Sequence, residues 1–436
     1  GKSGTANITI NVGDGIATTS TTFALNVVSM ASRQLTLTEE GNGTISPAMG
    51  STITSGRTYT LTAKPAAGQE FAGWTGSINS DSPIIRFVAN SNITLHAKFV
   101  PSPFVLGTYN GLFSENSGVS QNSSGSFTVT VSAHGNYSGK IQLGASKLSF
   151  KGKFNLQCTT TNSIARKLAL PLTVQLRLGT NSETDQIFGQ LIDSGWAATM
   201  TGDRARFSSM TNPCPYTGSY TMIIPGQTGD PSKPAGNGYG TIKVATSGST
   251  IFAGVLADGT KVTQSTALSK NGVWPLYASL YVGQGSVLSW ITFVNQASSD
   301  LSGTLSWIKL PVATARYYPS GFTTEVMASG STFVKPALTT DSIINLPNGV
   351  VDFSGGNLGA DFANNIALAA GSKVSNLSSN KLTMTFTTSS GLYKGTVVDP
   401  NSGATLPFAG AVFQKTDMGY GSLMGANQSS SVIVGP

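Results

Sequence analysis

The sequence is built from short runs of alternating polar and apolar residues, and that pattern constrains the fold more than any other feature. Ser126-Phe-Thr-Val-Thr-Val131, Thr173-Val-Gln-Leu-Arg-Leu178 and Lys381-Leu-Thr-Met-Thr-Phe386 are examples. A period of two puts every second side chain on one face of a β-strand. Turn signals separate the runs: Asp258-Gly259, Asn271-Gly272, Asn348-Gly349, and Asn401 to Gly403 after Pro400. Such residues reach positive φ at low cost, as a tight hairpin requires. Gly accounts for 51 of 436 residues, charged residues for only 10% and hydrophobic residues for 39%. Cores can therefore form, but the Ala-, Glu-, Lys- and Leu-rich stretches of a helical bundle or coiled coil are missing. The one stretch that reads as helical is Ala360 to Ala370. An all-β, multidomain chain is expected, because this length exceeds one ordinary core.

From residue 102 a hairpin unit recurs. Gly107-Thr-Tyr-Asn-Gly-Leu-Phe113 corresponds to Gly218-Ser-Tyr-Thr-Met-Ile-Ile224, and Gly125 to Val131 corresponds to Gly238 to Val244. Tyr137-Ser-Gly-Lys-Ile141 corresponds to Phe252-Ala-Gly-Val-Leu256. A third copy follows in Lys381 to Phe386, Leu392-Tyr-Lys-Gly-Thr-Val397 and Phe408-Ala-Gly-Ala-Val412. Each copy holds a strand with a central Gly between bulky residues. Gly inside a strand weakens it unless it marks a bulge or a barrel bend. The recurrence therefore predicts curved, closing sheets, β-barrel-like or sandwich modules, whose closure hides strand edges. The expected boundaries are one module over 102–215 and a larger one, or two fused copies, over 216–436.

Ahead of these, Asn7 to Val12, a Gly13-Asp14-Gly15 turn and Thr22 to Val27 make a hairpin within residues 1–30. It is similar to the closing strands of cadherin-like or immunoglobulin-like modules. A lone hairpin is marginal in water. It must pair with an upstream domain, its own neighbour or another copy of the chain. Residues 33–101 then carry Leu35-Thr-Leu-Thr38, Gly41-Asn-Gly-Thr-Ile-Ser-Pro47, Tyr59-Thr-Leu-Thr-Ala-Lys-Pro65, Gly68, Phe71-Ala-Gly-Trp74 and Ile93-Thr-Leu-His-Ala-Lys-Phe99. This order resembles a divergent internalin B-repeat. The resemblance implies a small β module of bacterial surface and secreted proteins, a spacer or adhesive repeat without catalytic residues. Phe71 and Trp74 are expected in its core, with Pro65 ending a strand and His96 at the surface. The region after 102 is similar to tandem modules at the C-termini of large bacterial extracellular proteins, through Ala257-Asp-Gly-Thr260, Trp274-Pro-Leu-Tyr277 and Ser306-Trp-Ile-Lys309. That likeness adds location and not chemistry.

Motifs for chemistry are sparse. GxSxG, HExxH and Walker A motifs do not occur, and Gly355 to Gly359 lacks the Lys of a phosphate loop. Only His96 and His134 exist, which excludes a multi-histidine metal site, and His134 reads as a turn residue. Asp193, Asp203, Asp258 and Asp399 fall at strand ends or turns and read as caps of their own backbone. No catalytic, cofactor or metal site is expected. Cys158 and Cys214 allow one intrachain pair, and an oxidising compartment favours a disulfide over two buried thiols. Lys140, Lys147, Lys151 and Lys153, followed by Arg166 and Lys167, form the densest basic cluster. In a strand, Lys147, Ser149, Lys151 and Lys153 share one face and Leu148, Phe150 and Phe154 the other. The cluster reads as a solvated sheet face, with an acidic glycan or anionic surface as the other reading.

Trp274, Tyr277, Tyr281, Trp290 and Trp307 cluster in sequence and could stack on sugar rings, although core packing suits Trp290 and Trp307 better. No run of 18 apolar residues occurs, so no membrane span is expected. The expected function is a non-catalytic extracellular structural or adhesive segment of a bacterial surface or filament protein, with the terminal hairpin expected to assemble by strand sharing, one subunit's strand completing its neighbour's sheet. Its partners would be other copies of itself or upstream domains, with glycans possible and no nucleic acid. The alternative is a carbohydrate-binding accessory region of a larger secreted enzyme.

Overall fold

The computed structural model describes residues 3–167 and 169–436 and divides into two compact units, Gly1–Pro103 and Phe104–Pro436. Alternation has become strand throughout: the described residues hold β-strands and single turns of 3-10 helix.

In the first unit, Gly4–Gly13 pairs antiparallel with Thr18–Val27 over their full length. Asp14 Oδ1 closes the turn by accepting from the amides of Ile16 (2.9 Å) and Ala17 (2.8 Å). The register puts Ala6, Ile8, Ile10 and Val12 on one face with Phe23, Leu25 and Val27, and Thr5, Asn7, Thr9 and Asn11 on the other with Ser20, Thr22 and Asn26. Both faces are exposed. Two small sheets follow, of four and three strands, in which Ser32–Glu40 runs parallel to Ile93–Pro101. Their core gathers Leu35, Leu61, Trp74, Leu95, Ala97 and Phe99, with Phe71 packed against it. Pro65 ends the strand Thr58–Pro65, as its missing N–H requires. His96 is half-buried, with its ring against Thr38 Oγ1 (2.9 Å) and Glu40 Oε2 (3.3 Å).

The second unit contains three successive eight-stranded sheets. The first runs from Gly107–Ser114 to Ala197–Arg204, the second from Gly218–Ile224 to Phe322–Thr332, and the third from Asn348–Ser354 to Ser429–Gly435. In each, consecutive strands are neighbours and the first strand pairs with the eighth. The third is a closed barrel. The first two leave the fourth and fifth strands without ladder hydrogen bonds, and side chains cross that seam. Asn162 Nδ2 donates to the Lys151 carbonyl (2.6 Å) in the first, and Gln264 Nε2 to the Pro275 carbonyl (3.3 Å) in the second. Each sheet wraps its own core.

The recurring glycines have a definite partner. Tyr137-Ser-Gly139 pairs with Phe150-Lys-Gly152 so that Tyr137 lies opposite Gly152 and Phe150 opposite Gly139. The same reciprocal pairing joins Gly111-Leu-Phe113 to Gly125-Ser-Phe127, and Tyr393-Lys-Gly395 to Phe408-Ala-Gly410. A β-carbon on Gly152 would lie 2.6 Å from the Tyr137 side chain. At Gly111 and Gly125 the Phe127 and Phe113 rings come within 2.6 and 2.7 Å, and the Thr201 and Gln142 carbonyl oxygens of the strands on the other side crowd the same space. In the second sheet a single ring, Phe252, covers both Gly240 and Gly254.

Three expectations are corrected. Ala360 to Ala370 is not helical: Phe362–Ala369 is a strand, because Asn364, Ile366 and Leu368 alternate inward with a period of two. Asn348-Gly349 is not a hairpin turn but opens the strand Asn348–Ser354. Cys158 and Cys214 do not form a disulfide. Cys158 is buried in the core of the first sheet and Cys214 in that of the second, and a bridge needs Cα atoms within about 7 Å. Burial pushes both thiols above their ordinary pKa, which suppresses thiolate reactivity.

The aromatic–glycine pairs predict a coupled effect. The nearest atoms to a β-carbon on Gly139 all belong to the Phe150 ring. Gly139→Ala is expected to cost about 1–3 kcal/mol, as overpacking does. In a Phe150→Ala background the same change should cost almost nothing, and equal costs in both backgrounds would reject the pairing as the cause. Urea denaturation of the four variants measures both.

Candidate functional site

The five aromatic residues singled out from the sequence are divided among three settings. Trp274 and Trp307 lie inside the second sheet, 0% and 3% exposed, and Trp274 Nε1 donates to Gln264 Oε1 (3.1 Å). Tyr277 and Trp290 lie on its outer face instead. Tyr277 is buried with Leu288 against Leu112 of the first sheet, and its hydroxyl accepts from the Gly144 amide (3.1 Å). Trp290 is half-buried beside them. It lines an open groove of about 580 Å³ between the two sheets, with Glu115 and Thr201 on one wall and Thr304 and Glu325 on the other.

Tyr281 belongs to a third setting, a buried polar network in the second sheet. Its hydroxyl donates to Asp258 Oδ2 (2.7 Å) and accepts from Trp307 Nε1 (3.1 Å). Lys309 Nζ pairs with the same Asp258 oxygen (2.8 Å), donates to the Tyr317 carbonyl (2.7 Å) and sits 4.6 Å over the Tyr281 ring. The Lys309 and Asp258 side chains are only 4% and 1% exposed. Burial, then the Asp258 carboxylate, pushes the Tyr281 phenol well above its ordinary range. Asp258 also caps its own turn through the Thr260 amide (3.1 Å), as its Asp-Gly context suggested. Sequence reasoning missed Lys309. The available signal was parity, since Lys309 shares its strand face with Leu305 and Trp307. Lys309 pairs with Asp258 beside the Tyr281 and Trp307 rings, so this network ties three segments of the second sheet to one geometry.

The other acids are likewise engaged. Asp193 accepts from Arg166 (2.8 Å), and Asp399 accepts from Ser402 (2.6 Å) and the Asn401 amide (2.9 Å). Burial raises the pKa of Asp203, whose carboxylate accepts from Gln186 (3.2 Å). These and Asp258 have no partner in common, so the structure does not assemble them into a carboxylate pair. Asp185, not singled out from sequence, is a hub: it binds Arg204 (2.8 Å) and Arg206 (3.4 Å) from the first sheet's side and Lys270 (2.6 Å) from the second. Burial raises its pKa, but Lys270 and Arg204 outweigh that and hold it below the usual carboxylate range.

Two predictions follow from these pairs. Lys309→Met leaves a buried, unpaired carboxylate and is expected to cost about 3–5 kcal/mol. Asp258→Asn added to it should recover part of that loss, read from urea midpoints. For Asp185 the folded pKa is depressed, so its stabilisation is complete above the unfolded value of about 4 and is lost as pH falls through the folded value. Asp185→Asn should therefore melt lower than the parent at pH 7. The gap should narrow as pH falls below about 4, and a gap independent of pH would refute the linkage.

Comparison with known proteins is narrow. No curated protein matches the chain. Among solved structures, the isotype 1 transferrin binding protein B from serogroup B Neisseria meningitidis aligns over 85% of each chain. Its identity is 10% and its TM-score 0.18, a likeness too low to carry an argument. One family, described as the divergent InlB B-repeat domain, matches residues 33–103, a span whose two small sheets enclose the core around Trp74.

Proposed function

We propose that this chain is a non-catalytic structural segment of a bacterial extracellular or cell-surface protein, and that its N-terminal hairpin joins copies of it together. The B-repeat match supports the location. The low charge and the three consecutive eight-stranded sheets fit a scaffold.

The observation that carries the reading is the hairpin formed by Gly4–Gly13 and Thr18–Val27. The large apolar side chains of its two strands all lie on one face, and that face is uncovered, with Ile10 52% and Val12 69% exposed. A two-stranded ribbon cannot bury such a face by itself. A second copy offers an identical face, and two ribbons stacked through it would form a small two-layer sandwich with twofold symmetry. The polar face, with its Thr and Asn rows, then remains in water.

Light scattering tests this. The full chain should form dimers or larger assemblies, and a chain lacking residues 1–30 should be monomeric. Ile8→Ser with Phe23→Ser and Leu25→Ser should act as the deletion does. Unchanged assembly after the deletion would sink the proposal.

A further inference from the structure

The formal net charge of +7 is confined to one stretch of the chain. Residues 116–182 contain seven Lys and Arg and no Asp or Glu, so the remaining 19 cations are matched by 19 anions. Two of the seven are paired: Arg166 with Asp193 (2.8 Å) and Arg177 with Glu183 (3.1 Å). Lys140, Lys147, Lys151 and Lys153 are exposed and form no ion pair among the described residues.

Strand pairing gathers these four on the outside of the first sheet. Lys140 lies on Asn136–Leu143 opposite Ser149, while Lys147 and Lys151 lie on Ser146–Lys153 opposite Gln142 and Ser138. Lys140 is thus the diagonal neighbour of both, at roughly 7–8 Å between backbones. Three exposed ammonium groups carried on neighbouring positions raise the local positive potential and so attract an anion. The surface between them is hollow. A concavity of about 750 Å³ is bordered by Thr128, Thr130, Ser138, Lys140, Ser149 and Lys151, directly outside the Gly139–Phe150 pair. A second of about 440 Å³ continues it past Lys140 to Lys147 and Gln142.

We infer that this trough binds a linear acidic polysaccharide. The lysines supply ammonium groups for carboxylates or sulfates, and the Ser, Thr and Gln side chains between them supply donors and acceptors for sugar hydroxyls. Two other polyanions fit less well. Single-stranded nucleic acid is held by stacking bases on exposed aromatic rings, whereas Tyr137, Phe150 and Phe154 are all buried here. A bilayer surface is flat and takes apolar side chains beside the cations, whereas the trough is concave and its exposed side chains are hydroxyls and lysines. This inference is independent of the hairpin's role.

The test uses the full chain and fluorescein-labelled heparin oligosaccharides, with polygalacturonate as a carboxylated competitor. Anisotropy should report binding at low salt that weakens as salt screens the lysines. Lys140→Ser with Lys147→Ser and Lys151→Ser should weaken it at least tenfold at an unchanged melting temperature. Lys261→Ser with Lys373→Ser and Lys381→Ser removes the same charge from exposed positions on the other two sheets and should change it less than twofold. Displacement by polygalacturonate would extend the ligand to uronates, and its failure would restrict it to sulfated glycans. Equal loss in the two triple variants would overturn the inference, as would absence of heparin binding. So would tighter, lysine-dependent binding to phosphatidylglycerol vesicles or to oligo-dT.

Discussion

Eight strands can curl around a common core only if the inward side chains fit a narrow and curved interior. In this protein the fit depends on aromatic rings seated on glycines of the neighbouring strand. Tyr137 and Phe150 each cover the glycine that lies two residues from the other ring, and Tyr393 and Phe408 do the same in the third sheet. A glycine inside a strand costs roughly 0.5–1 kcal/mol. Burying a large aromatic side chain returns about 1.5–3 kcal/mol, so the pair is favourable as a unit although half of it is not. The arrangement also fixes register. Sliding Asn136–Leu143 by two residues along Ser146–Lys153 would set Tyr137 against Phe150 and leave a glycine facing an empty position. Steric exclusion on one side and a void on the other both oppose the slip.

Closure is finished by carboxamides. Where the backbone ladder lapses, Asn162 and Gln264 reach across to the Lys151 and Pro275 carbonyls. Pro275 has no amide to donate, so a side-chain donor is the natural way to satisfy its strand edge. The third sheet is weakest between Lys373–Asn376 and Leu382–Thr387, which share one paired position. There the fully buried Asn364 exchanges hydrogen bonds of 2.9 Å with Asn380, and Asn376 donates to the Asn380 carbonyl (2.7 Å). An amide side chain carries a donor and an acceptor, as a peptide group does, and can therefore stand in for one. The same device joins whole sheets: Gln121 of the first donates to the Gly283 carbonyl (2.9 Å) and accepts from Ser286 (2.8 Å) of the second.

Much of this was legible in the sequence because period-two alternation and turn residues act locally. The strand expected over 126–131 is Gly125–Val131, and the repeated glycines do lie inside curved sheets. What was not legible depends on partners far along the chain. Gly285–Phe293 is apolar on both faces, one against its own core and the other against Leu112 of the first sheet. Reading one strand could not say which face Trp290 would take. Phe362–Ala369 looked helical because Ala and Asn rows blur a period of two, and only the buried Asn364 cluster explains its inward polar position. The Lys309–Asp258 pair joins residues 51 positions apart and leaves no local trace beyond parity.

The ion pairs explain where the surplus charge must lie. Asp185, Asp258 and Asp300 are each held by cations that fix one sheet or lock two together: Lys270 to Asp185, Lys309 to Asp258, and Lys415 to Asp300 (2.6 Å). In a chain with only 19 acids, using them at such junctions leaves few to balance an open surface. Among the described residues the lysines of Asn136–Leu143 and Ser146–Lys153 take part in none of these ion pairs, and the 67 residues from 116 to 182 that contain them hold no acid. Lys140 and its diagonal neighbours therefore form a local surplus of positive charge that no ion pair among the described residues offsets, and the anionic ligand inferred above would offset it.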